Sequence, residues 1–158
     1  MPGDLLQKKK KAIGERWLAS LLATYGEDTA AFLRQQKNRF ANPVGRTFAD
    51  ASRAILDEVL DGMDAANLCA HLEEIIKIRA IQEFSPAAAV SFVFLLKDAV
   101  REEIGDAARE PDILVELHEI ETRIDQLALF AFDIYVKRRE QVYSLRLREI
   151  RNGFAEPA

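Results

Sequence analysis

Apolar residues recur along the chain at intervals of three and four, and Pro and Gly fall between the periodic runs. Asp4 is placed to open a first helix, with Leu6, Ile13, Trp17, Leu18, Leu21 and Leu22 on one stripe and Gly26 at its end. A short second helix from Asp28 to Lys37 presents Ala31 and Phe32. The segment 38–45 reads as a loop, because Pro43 pushes Asn42 out of helical geometry. Thr47 is then expected to cap a third helix through Phe48, Ala51, Ile55, Leu56, Val59 and Leu60, closed near Gly62.

Asp64 caps a fourth helix running to Glu83, and the pair Ser85-Pro86 starts a fifth, Pro86 to Ile104, stopped by Gly105. From Pro111 no Pro or Gly occurs until Gly153, which predicts a last helix of about 60 Å at about 1.5 Å per residue. Ile113, Leu117, Ile120, Ile124, Leu127, Ala131 and Ile134 form a packing seam along it, and the next seam positions, Arg138 and Gln141, are polar. No strand alternation, internal repeat or low-complexity tract interrupts this pattern. The expected fold is all-α: a single-domain bundle of about six helices, residues 1–136, with residues 137–158 as the basic, projecting end of the last helix and its tail.

Composition narrows the function. The 158 residues are 49% hydrophobic and 30% charged, the balance of a globular domain. A net charge of −4 argues against a nucleic-acid binder held by bulk charge. Lys8 to Lys11 imitate the basic start of a signal peptide, but Gly14, Glu15 and Arg16 break the apolar run that should follow. The most apolar stretch, Ala87 to Leu96, is half the length of about 20 residues that a bilayer span needs. It reads instead as a central helix surrounded by others, with no transmembrane segment and a cytoplasmic location expected. Cys69 is the single cysteine, so no intrachain disulfide can form.

Reactive constellations are missing from the sequence. No glycine pair is spaced for a phosphate-binding loop, and no GxSxG or HExxH occurs. Cys69 and His71, two apart on a helix, point about 200° apart and do not readily share a metal. His71 or His118 could serve haem, but a lone helical His is ordinarily a surface or core residue, so no cofactor is expected. The adjacent carboxylates Glu73-Glu74 and Glu102-Glu103 diverge around their helices and read as solvated faces. An enzyme is not expected.

Three features remain as candidate sites. Arg79 falls on the apolar stripe of Leu68, Leu72, Ile75 and Ile76, where it either pairs with Glu83 or forms an anion site with backbone donors of the Pro86 helix. Phe92 and Phe94, among small residues, either pack in the core or line a pocket for an apolar ligand. Arg138, Val142, Leu145 and Arg146 lie on the basic end, which is either a solvated face or a contact for a protein or anionic-lipid partner.

The stretch Leu68 to Ile104 resembles the N-terminal sensor domain of RsbRD-type stressosome co-antagonists. The resemblance is carried by Ile78-Arg79-Ala80-Ile81-Gln82, Phe84-Ser85-Pro86 and Ala89 to Lys97, with Trp17, Asn42-Pro43-Val44-Gly45 and the long last helix in support. It implies an all-α, globin-like bacterial domain that does not use haem, whose larger relatives run a long helix into a STAS domain or a histidine kinase. Because the sequence ends soon after Gly153, a stand-alone sensing and interaction domain is expected, with no phosphorylation switch carried over. The long seam suggests a homodimer with an unidentified protein partner. A small apolar-ligand module and an accessory subunit of a larger complex are the alternatives.

Overall fold

In the computed structural model residues 2–35, 42–82 and 84–153 are described. Helix α1 (Pro2–Ala23) starts ahead of Asp4, which lies inside its first turn, and ends where Gly26 takes φ +87°. Its stripe is as expected: Leu6, Ile13, Trp17, Leu21 and Leu22 are buried and Leu18 is half-buried. Helix α2 (Glu27–Gln35) differs, since it docks through Ala30 and Leu33 while Phe32 points outward. The expected end of this helix at Lys37 and the loop residues Asn38 to Ala41 lie outside the described residues.

Helix α3 (Pro43–Asp61) begins earlier than Thr47. Asn42 Oδ1 accepts from Gly45 N at 2.9 Å, and Pro43 at the first helical position has no N–H to lose. The Asn42 Nδ2 also donates to Leu33 O at 2.8 Å, tying the end of α2 to the start of α3. Gly45 is required by this close approach, because a Cβ there would stand 2.7 Å from Leu33 O. At the other end Gly62 is extended, and the left-handed position falls to Met63 at φ 60°.

Asp64 caps α4 (Ala65–Ile81) through Asn67 N, and Ser85 caps α5 (Pro86–Val90) through Ala88 N, both as the sequence predicts. The expected single helix from Pro86 to Ile104 is broken at Ser91 into α5 and α6 (Phe92–Ile104). Gly105, at φ 56°, ends α6 and opens a 3₁₀ turn, Gly105–Arg109. Helix α7 (Pro111–Arg148) then runs for 38 residues and finishes in a π turn, Glu149–Gly153. The described residues thus form seven α-helices and no strand.

Helix α1 lies on α3 and α6, α4 lies on α3 and α7, and α7 also covers α5 and α6. The core between them is built from Trp17, Phe48, Phe92, Ile55, Leu72 and Ile76, each burial worth about 1.5–3 kcal/mol. The α5–α6 segment is not enclosed on all sides: Ala89, Phe92, Val93 and Leu96 face the core, while Ala87, Ser91 and Phe94 share a solvent face. Two further expectations change. The α7 seam is buried on its own body from Leu117 to Ala131, so no partner is needed to cover it. Glu102 and Glu103 are not merely solvated, because the Arg16 guanidinium reaches both.

Candidate functional site

The break at Ser91 is made by side chains that take over the helix ladder. Ser91 Oγ donates to Ala88 O at 3.1 Å, and Phe94 N returns to Ser91 O at 3.0 Å, one residue short of the α-helical register. Arg79, projecting from α4, donates from Nε to Ala89 O at 2.9 Å and from Nη2 to Ala88 O at 2.8 Å. From α1, Trp17 Nε1 donates to Phe92 O at 2.7 Å. The Ala88 and Ala89 carbonyls, which would otherwise serve the next helical turn, are therefore held by Arg79 of α4 and by Ser91 itself.

Arg79 is 1% exposed. Its remaining contacts are neutral: Nη1 donates to Thr24 Oγ1 and Tyr25 Oη, both at 3.2 Å. The guanidinium carbon lies 4.2 Å from the Phe84 ring centre and 5.4 Å from those of Tyr25 and Phe92. Burial lowers the Arg79 pKa from its ordinary value, and the Tyr25 oxygen acts in the opposite sense. Burial likewise raises the Tyr25 phenol, with Arg79 pulling it back. Arg79 stays charged, and it is compensated by dipoles and ring faces instead of a carboxylate among the described residues. The Glu83 expected beside it lies outside those residues. The Pro86 helix offers Arg79 its carbonyls, not the N–H donors that an anion would use.

The same cluster reaches the terminal helix. Tyr25 Oη donates to Gln82 Oε1 at 2.8 Å, which links α1 to the end of α4. Tyr135 of α7 donates to Phe84 O at 2.9 Å, and Arg139 of α7 donates to Ala80 O at 2.7 Å. One polar hub thus joins α1, α4, the start of α5, and α7. Its members bond to one another and to backbone carbonyls, an arrangement that fixes helix positions.

The other predicted residues are not gathered here. Phe92 is buried and stacked on Trp17, whereas Phe94 is exposed beside Lys97, since positions two apart on a helix face opposite ways. They do not line one pocket. Arg138 binds Glu73 of α4, so α7 stays fastened to the body beyond residue 137. Val142 is half-buried, and Leu145 and Arg146 are exposed. Burial and the nearby Glu73 and Asp133 raise the Cys69 thiol pKa, which suits an inert residue. Among the described residues, no three His, Cys, Asp or Glu side chains gather where a metal could sit, and no helix is long and apolar enough to cross a membrane.

Sequence reasoning missed Tyr25, Tyr135, Arg139 and the Trp17 indole N–H as members of the hub. The available signal was chemical: a Trp or Tyr on a core stripe needs a partner for its polar atom. A family model described as the RsbT co-antagonist protein rsbRD N-terminal domain matches residues 11–150. No curated protein and no solved structure matches the chain.

Proposed function

The chain belongs to the RsbT co-antagonist protein rsbRD N-terminal domain family, and from that premise we propose that it is a stressosome-related regulatory domain acting through protein–protein contacts. In this reading a signal alters packing around the Ser91 break, and the hub passes the change to α7 through Tyr135 and Arg139. The observation that supports it is the two-faced character of α7. Its inner face is bound to the body, while Leu129, Phe132, Val136, Tyr143 and Leu147 form a second, outward stripe. Leu129 is 68% and Phe132 48% exposed, on a helix whose other face is packed on the body.

A second copy of the chain is the proposed occupant of that stripe, since spacings of three, four and seven suit helix-on-helix packing. The exposed basic end, with Leu145, Arg146 and Ile150, is then left for the protein partner. Sedimentation equilibrium tests the dimer: the parent chain should sediment as a dimer, and Leu129→Glu with Val136→Glu should give a folded monomer. A parent chain that stays monomeric at high concentration removes this use of the stripe.

A further inference from the structure

Helices α1 and α3 run antiparallel, with Gln7 on Asp61 at 2.7 Å and Lys10 on Asp57 at 2.9 Å. Further along, their facing positions are small, Gly14 on α1 and Ala49 and Ser52 on α3, so the helix ridges leave a gap. The gap is a groove of about 510 Å³, inside the range of roughly 300–1,000 Å³ common to small-molecule sites. Leu18 and Leu56 complete its apolar lining.

Gly14 is informative. Within a 22-residue helix Gly is the poorer choice against Ala, yet tight packing does not demand it. A Cβ at position 14 would meet only Leu56 Cδ2, at 3.4 Å, an ordinary contact. What Gly14 supplies is open space along the floor. The rim is charged. Lys10 is matched by Asp57, while Lys11 and Arg53 are exposed and have no ion pair among the described residues; Glu15 is the remaining carboxylate of the lining. An apolar floor under two unmatched cations complements a molecule with a hydrocarbon chain and one negative head.

We propose that the α1–α3 groove binds an amphipathic monocarboxylate of the fatty-acid class, with its chain along Gly14, Leu18 and Leu56 and its carboxylate held by Lys11 and Arg53. No α7 residue lines the groove, so this site and the α7 stripe stand or fall separately. The test is calorimetric titration of the full chain with dodecanoate below its micellar concentration, beside neutral dodecanol and cationic dodecyltrimethylammonium. Saturable one-to-one binding that prefers dodecanoate is expected. Lys11→Glu with Arg53→Glu, both solvent-facing and so compatible with folding, should weaken it at least about tenfold. Gly14→Leu should fill the floor and weaken it similarly with the helical circular dichroism retained, whereas Gly14→Ala should still bind. Absence of saturable binding, equal binding of dodecanol or the cation, or indifference to the charge-reversed variant would overturn the proposal.

Discussion

Replacing Arg79 by Met separates the work of the guanidinium from the space it fills. The bulk is largely kept, but the donors to Ala88 O and Ala89 O are lost at a place where the helix ladder is already interrupted. Each buried acceptor left without a partner costs about 1–3 kcal/mol, although Ser91 Oγ still supports Ala88 O. Loss of the three ring contacts adds about 1–2 kcal/mol in a desolvated setting. Working the other way, Met ends the burial of a cation, a penalty of several kcal/mol per ion. The gross loss of about 2–5 kcal/mol and the several kcal/mol returned by removing the cation nearly cancel, so Arg79→Met should change stability by no more than about 2 kcal/mol. Arg79→Lys should lose more, about 2–5 kcal/mol, because it keeps the buried cation while one ammonium cannot span two carbonyls and two hydroxyls at once. Urea unfolding followed by circular dichroism measures the loss. Trp17, the only Trp, bonds to Phe92 O beside the break, so its native-state emission should shift in the Met variant. An Arg79→Lys protein as stable as the parent, with unchanged Trp17 emission in the Met variant, would refute the view that Arg79 holds the break open.

Asn42 offers a sharper test of capping. A simple N-cap accepts Asp as readily as Asn, but here Nδ2 also donates to Leu33 O, so both Asn42→Ala and Asn42→Asp should lose about 2 kcal/mol in urea unfolding. Gly14→Ala should raise stability by about 0.5–1 kcal/mol in the same assay, since the new methyl group meets only Leu56 at 3.4 Å. The Arg16 guanidinium holds the Glu103 carboxyl below its ordinary value of 4.5. A carboxyl lowered by folding stabilises the protein above its ordinary pKa and loses that contribution as pH falls through the lowered folded value. Glu103→Gln should therefore flatten the fall in melting temperature below about pH 4.5, and an unchanged acid limb would discount the pair.

The helical fold was legible because it rests on local periodicity. The stripes of α1, α3, α4 and α7, the caps at Asp64 and Ser85, and the stops at Gly26 and Gly105 depend on residues within a turn or two of one another. Asn42 shows where that reading thinned: Thr47 and Asn42 are both competent caps, and the choice fell to Asn42 because its amide also reaches Leu33, nine residues away. Trp17 lies on the core stripe expected for α1 and Tyr135 one position past the expected seam residue Ile134, but the acceptors of their polar hydrogens, Phe92 O and Phe84 O, lie 75 and 51 residues away.

By itself, then, the order of residues determined an all-α domain of the rsbRD N-terminal family, and it marked Arg79 as a charged group on an apolar face. Tertiary structure alone decided that Arg79 would clasp the carbonyls of a broken helix, that α7 would spend its first seam on its own body, and that a second stripe would remain outside. The reason is physical. Helical periodicity and caps are short-range constraints, whereas a buried donor finds its acceptor only when distant segments pack and water no longer competes for the bond.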